Sequence, residues 1–284
     1  MKRFFLFFAF AALMATGCKP EARVMARAVP ERADDFVFEN NLIAGRFYGE
    51  ALEGNPTSPG LDIWVKMPGR LVADEWYKGA QKDPDYYHHN HGGKDCYKVA
   101  VSLGGGASAP FIDGRLCYPA TNYRASSVEY HGADTVVFTL SYPQWEADSG
   151  LLVALDKKVT VVAETYFIDV EDVYTFSGAP ALVIAAGFTR HQNLGTIDVE
   201  HNMVDRLAIW EAASDQGVEP EDGKLGIAVV MPEAQMRIYP TDRSHALLLK
   251  ATGSGDPVRY KVGSCWSKGD IKTAEDWFKM VDAQ

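Results

Sequence analysis

The sequence predicts an all-β protein, a large antiparallel β-sandwich with a few short helices. Apolar residues alternate with polar ones at period two in run after run; Val136, Phe138 and Leu140 share one face, and Val159, Val161 and Ala163 another. Turn-forming pairs separate the runs, notably Asn40-Asn41 and Asp113-Gly114, because Asn, Asp and Gly tolerate the positive φ of tight hairpins. Helix-period patterning is confined to two short stretches. The 284 residues carry no Pro/Ser linker and no internal repeat. That many strands exceed a small immunoglobulin-like domain and suggest two large sheets.

The elements follow in chain order. Phe36-Val37-Phe38 and Leu42 to Tyr48 form a hairpin around Asn40-Asn41, and residues 54–60 form a loop. Leu61 to Met67 alternates and reads as a strand ended by Pro68-Gly69. Arg70 to Ala80 reads as a short helix with Leu71, Val72, Trp76 and Tyr77 inward. Gln81 to Gly93 is a polar, aromatic, histidine-rich loop. Cys96 to Ser102 reads as a strand; Ala109 to Ile112 and Arg115 to Tyr118 flank the turn at Asp113-Gly114. Strands continue at Ser126 to His131, Thr135 to Pro143, Leu151 to Glu164 and Tyr166 to Tyr174. Ala181 to Phe188 is apolar on both faces, as a central strand covered on both sides requires. Leu207 to Glu211, Lys224 to Met231, His245 to Ala251 and Val258 to Ser264 complete the set. Thr273 and Asp276 open a closing helix in the manner of a capping box, with Trp277, Phe278 and Val281 on its apolar face.

The N-terminus reads as a targeting segment. Lys2 and Arg3 precede the apolar run Phe4 to Met14, and Ala15-Thr16-Gly17-Cys18 resembles a lipobox with Ala15 in place of the usual Leu. Residues 1–17 are thus expected to be a lipoprotein signal peptide, residues 18–34 a flexible tether, and residues 35–284 a single β-sandwich domain. The expected location is outside the cytoplasm, anchored through a lipid on Cys18 and facing the periplasm or cell surface. That lipid is the one membrane contact expected. Cleavage removes two cations and no acid, so the formal charge falls from −10 to −12, which argues against nucleic acid as partner. Cys96, Cys117 and Cys265 remain. Two readings stay open: Cys96 and Cys117 pair across adjacent strands, or all three are buried thiols.

Chemistry concentrates in Asp83 to Ala120. Three of the seven histidines, His88, His89 and His91, fall within four positions. His89 and His91 point the same way on an extended segment and are suited to flanking a sugar. No second ligand pair at motif spacing accompanies them, so no metal is expected. Asp95 and Tyr97, on one face of the expected strand, are candidates for proton transfer, with Lys98 opposite. Arg190 and His191 follow the apolar strand, beside Gln192 and Asn193, as a carboxylate binder and a second acid or base. Tyr123, Arg124 and Trp145 are candidate sugar contacts, Trp145 by its loop-like surroundings. The candidate catalytic set is therefore His91, His191, Asp95 and Tyr97. The candidate substrate-binding set is His89, Lys98, Tyr123, Arg124, Trp145 and Arg190. Gly104-Gly105-Gly106 precedes no helix and matches no phosphate or dinucleotide fingerprint, so no cofactor is expected; it reads as a close backbone approach. Serine-esterase and zincin motifs are absent from the sequence.

The segments GLDIWVKMPGR, DYYHHNHGGKDCYKVAVSLGGGASAPFIDGRLCYPATNY, VVFTLSYPQW and SCWSKGDIKTAEDWFKMV resemble domain-of-unknown-function family 4861. The family pattern of a His-Gly segment, an Asp-x-Tyr-Lys-Val segment and a glycine run falls on His91, Gly92, Asp95, Tyr97, Lys98, Val99 and Gly104 to Gly106. Where many members carry two tyrosines after the aspartate, this chain has Cys96 then Tyr97. The resemblance implies exported bacterial proteins of polysaccharide degradation and a galactose-mutarotase-like supersandwich. The function expected is glycan processing, as a lyase or hydrolase, with uronate-containing glycans among the candidate substrates, by His/Tyr/Asp acid–base chemistry. A non-catalytic glycan-binding lipoprotein and a mutarotase-type epimerase are the alternatives.

Overall fold

The computed structural model describes residues 22–53, 60–191, 197–213, 222–240 and 242–284. The signal segment with Cys18, and Gln192 and Asn193, lie outside the described residues. The chain begins with β1 (Val24–Val29), β2 (Asp35–Asn40), β3 (Ala44–Phe47), β4 (Asp62–Lys66), helix α1 (Ala73–Ala80) and β5 (Gly93–Asp95). Next come β6 (Ala107–Ile112), β7 (Arg115–Leu116), β8 (Ala125–His131), β9 (Thr135–Asp148), β10 (Leu151–Val162), β11 (Phe167–Ser177) and β12 (Leu182–Thr189). The last elements are β13 (Ile197–Asn202), β14 (Arg206–Ala212), β15 (Lys224–Val230), β16 (Met236–Ile238), β17 (His245–Thr252), β18 (Pro257–Trp266) and helix α2 (Ala274–Asp282).

Among the described residues these strands make an antiparallel sandwich. One layer is an eight-stranded sheet, β13-β14-β15-β18-β11-β10-β9-β8. The other is composite: β1-β2-β3-β4-β5 and β16-β17-β12-β6-β7, two five-stranded sheets side by side. Aromatic side chains join the layers, with Phe36 4.5 Å from Phe138 between ring centroids. Alternation decides which side is inward; along β10, Val153, Leu155, Val159 and Val161 are buried. The helices close the outer faces. Trp76 of α1 packs on Trp64 at 5.2 Å, and Trp277 of α2 stacks on Phe167 at 5.5 Å. Thr273 caps α2 by accepting from the Asp276 N–H, as expected.

The glycine run is the seam between the two five-stranded sheets. Gly105 N donates to Leu61 O at 2.8 Å, Leu61 N to Leu103 O at 3.3 Å, and Thr189 N to Gly104 O at 2.8 Å. Gly104 has φ +59°, and a Cβ there would sit 2.2 Å from Leu61 O. The close approach read from the sequence is thus a join between sheets.

The hairpins at Asn40-Asn41 and Asp113-Gly114, the helix ending at Ala80 and the central, buried β12 agree with expectation. Three expectations fail, and of the two open readings of the cysteines one holds. Val24–Val29, inside the expected tether, is a strand paired with β2 along its whole length. Cys96 to Ser102 is irregular: the sheet ends at Asp95, and the chain must cross to the other five-stranded sheet to begin β6. β9 runs on through Trp145, which points inward and is buried, so it offers no exposed platform. Cys96, Cys117 and Cys265 are free, buried thiols; burial pushes the Cys117 and Cys265 thiols up, away from the reactive thiolate.

Candidate functional site

The crossing segment after β5 brings sequence-distant groups to one end of the sandwich. His191 follows β12 by two residues, Glu211 lies near the end of β14, and Tyr97 and Lys98 lie in the segment itself. His191 Nε2 is 3.0 Å from the Lys98 carbonyl oxygen, and Nδ1 is 3.4 Å from Glu211 Oε1. The carbonyl can only accept, which assigns a hydrogen to Nε2. A neutral ring would then turn a bare Nδ1 lone pair toward the carboxylate. The contact is attractive when one proton lies between Nδ1 and Oε1, giving imidazolium with carboxylate or imidazole with carboxylic acid. A histidine set between a carbonyl oxygen and a buried carboxylate in this way is a candidate general acid or base. The Tyr97 ring packs edge-on against the imidazole, centroids 4.9 Å apart, and holds its plane.

Around this pair the charges are matched. Arg190 Nε donates to Glu200 Oε1 at 2.8 Å and Nη1 to Arg243 O at 3.1 Å, while the guanidinium lies over the Tyr239 ring at 4.9 Å. Its fork is thereby engaged by the protein, so it anchors the end of β12 to β13 and does not present itself to a substrate carboxylate. Lys94 and Asp222, both buried, form an ion pair of 2.5 Å.

The other expected residues fall elsewhere. His91 stacks on Tyr86 at 3.9 Å, and its N–H donates to Gly93 O, before β5 begins. His191 touches residues beyond the other end of β5, so the structure does not join His91 and His191 in one pocket. His88 Nδ1 lies 3.2 Å from Asp95 O, and His89 is exposed. Asp95 and Tyr97 do not share a face: the strand ends between them and the alternation ends with it. Asp95 points toward α1, where Arg46 contacts Asp62 and Asp95 at 2.7 Å each and Asp35 at 3.5 Å. Trp64 and Tyr87 flank the guanidinium at 5.2 and 5.1 Å. Burial, then repulsion from Asp62, pushes Asp95 up to about 8 against the pull of Arg46. This buried charge cluster holds the sheet to α1, apart from His191. Tyr123 is buried with its hydroxyl on Asp34 O, and Arg124 pairs with Glu53 at 2.5 Å, at another edge of the molecule.

Sequence reading missed Glu211, Lys94, Asp222 and the buried His245. Glu211 left a trace, an acid at an inward position in the apolar run LAIWEA. Asp222, in a polar loop sequence, left none. Among the described residues no group of three or more His, Cys, Asp or Glu converges as for a metal ion. A cleft of about 350 Å³ on the outer face of the eight-stranded sheet is lined by Lys158, Glu171 and Arg259 among others. Its charges are largely paired with one another, Arg259 with Glu171 at 2.7 Å and Lys261 with Asp169 at 3.5 Å.

Comparison with known proteins gives three likenesses. The sequence profile of DUF4861, a domain of unknown function, matches residues 15–284. Uncharacterized protein P7 of Formosa agariphila is 31% identical over 279 residues, 90% of this chain; the chain spans 65% of that relative's length. A galactose mutarotase related enzyme from Lactobacillus acidophilus is similar in structure over 81% of this chain and 97% of its own, at 8% identity and a TM-score of 0.32.

Proposed function

The chain belongs to the DUF4861 family, and from that premise we propose that it is an exported, lipid-anchored glycan-processing enzyme. It acts on poly- or oligosaccharides, as a lyase or hydrolase, with His191 and Glu211 as the proton-transferring pair and Tyr97 as the residue that positions the imidazole. The observation that carries this reading is the placement of His191 between an obligate acceptor, Lys98 O, and the buried Glu211 carboxylate. Packing alone does not call for a histidine and a buried carboxylate, from after β12 and from β14, to meet; proton transfer does. The carbohydrate class is supported by the polysaccharide context that the family resemblance implies. The pure binding alternative has lost its expected platform, because Trp145 and Tyr123 are buried.

The test is incubation of the full chain with plant and algal polysaccharides and their oligosaccharides. New reducing ends report hydrolysis, and the unsaturated-uronate absorbance band reports lyase action. His191→Ala and Glu211→Gln should each lower turnover by about 10²-fold or more while the variants melt as the parent does. Full turnover in either variant would remove the pair from the mechanism; binding without product would favour a glycan-binding protein. Cys18→Ala should move the protein from the membrane fraction to the soluble one, and unchanged membrane association would refute the lipid anchor.

A further inference from the structure

A second set of side chains, none used above, surrounds a cavity of about 490 Å³ on the outer face of the β16-β17-β12-β6-β7 sheet. Its apolar lining includes Val101, 56% exposed, together with Leu116 and Pro240. Its polar lining forms a chain. Asp242 Oδ1 accepts from Ser244 N at 3.0 Å and Ser244 Oγ at 2.8 Å; Ser244 Oγ is also 2.8 Å from His245 Nδ1. His245 Nε2 accepts from Leu103 N at 3.3 Å, with the Tyr118 hydroxyl at 3.4 Å. Accepting at Nε2 puts the ring hydrogen on Nδ1, directed to Ser244, whose own hydrogen goes to Asp242. Every hydrogen in the chain is therefore directed toward Asp242. The hydrogen bonds from Ser244 hold the Asp242 carboxyl below its usual range, so it stays an acceptor. Asp242 Oδ2 accepts nothing from the described residues.

We infer that this cavity is a binding subsite for a neutral pyranose ring. Such a ring has an apolar C–H face, which Val101, Leu116 and Pro240 match. It also has vicinal hydroxyl hydrogens, which Asp242 accepts while the lone pairs of the Tyr118 hydroxyl take a third. Arg115 also lines the cavity but is paired with Asp148 at 3.2 Å, so a uronate would meet the Asp242 charge and is disfavoured. Residues 97–103 form a shared wall: Tyr97 and Lys98 contact His191, whereas Val101 lines the cavity and Leu103 contacts His245. A bound sugar here would lie beside the catalytic pair and not on it. This subsite rests on the carbohydrate part of the proposed function and is independent of the acid–base part.

NMR titration of the full chain with the methyl glycosides of glucose, galactose and mannose tests the subsite. At least one should bind, equally well in the parent and in His191→Ala. Asp242→Asn should weaken that binding tenfold or more; Tyr118→Phe, which keeps the ring and removes the hydroxyl, should weaken it several-fold and decides the matter if Asp242→Asn fails to fold. Absence of binding by all three glycosides, indifference to both substitutions, or loss of binding in His191→Ala would overturn the subsite. Retained, Asp242-dependent binding in a chain that turns over no glycan would leave the subsite standing and reject the acid–base reading alone.

Discussion

Replacing Asp95 with Asn should make the protein more stable at pH 8, by a smaller margin at pH 5, and leave it nearly unchanged only below about pH 4. Asp95 is 1% exposed; its Oδ2 accepts from Arg46 at 2.7 Å, and its Oδ1 has no hydrogen-bond partner among the described residues. Burial and then Asp62 push its carboxyl up to about 8, with Arg46 opposing them. An unfolded aspartate titrates near about 3.9. Between those two values the folded chain keeps a proton that the unfolded chain has lost. The stability from this group is therefore complete below the unfolded value and drains away as pH rises toward 8. At about 1.4 kcal/mol per pH unit, the loss from pH 5 to pH 8 is on the order of 3 kcal/mol. Asparagine keeps an oxygen for Arg46 and cannot ionise, so the loss should vanish. Urea unfolding of both proteins at several pH values between 5 and 8 measures the difference. Parallel pH dependence in the two proteins would refute the buried, protonated Asp95. A variant weakened equally at every pH would show that Arg46 requires the negative charge.

Two further predictions concern the frame around the sites. Gly104→Ala should cost about 2 kcal/mol or more, because φ is +59° and the new Cβ would meet Leu61 O at 2.2 Å; an unchanged melting temperature would show that the seam between sheets can relax. His245 is held down to about 4 by burial, with the charge of His191 adding to the shift and Asp242 opposing it. Its sign is opposite to that of Asp95: stability is complete above the unfolded value of about 6.5 and falls by roughly 3 kcal/mol as pH drops toward 4. His245→Gln should flatten that acid limb in a thermal-melt series, and an unaltered limb would mean that other groups produce it.

Local chemistry made much of the fold legible in the amino-acid sequence. The Asp113-Gly114 turn was readable because both residues take positive φ, 49° and 81°. The inward faces of β9 and β10 were readable because side chains alternate with period two. The capped helix α2 and the central position of β12 followed from equally short-range signals. What escaped depends on contacts far apart in the chain. β1 was hidden because VMARAV reads as a tether until β2 supplies its partner. Alternation assigned Asp95 and Tyr97 to one face, but pairing stops at Asp95, so one turns to Arg46 and the other to His191. The histidine cluster that dominates the sequence is divided between Tyr86, the Asp95 carbonyl and solvent. The proposed acid–base pair instead joins His191, two residues past β12, to Glu211 of β14, 20 residues along the chain. Hydrophobic period and turn chemistry specify which residues are strands and which side is inward; only the packing of one sheet on another decides which buried polar groups meet, because that meeting is set by register and crossover and not by neighbours along the chain.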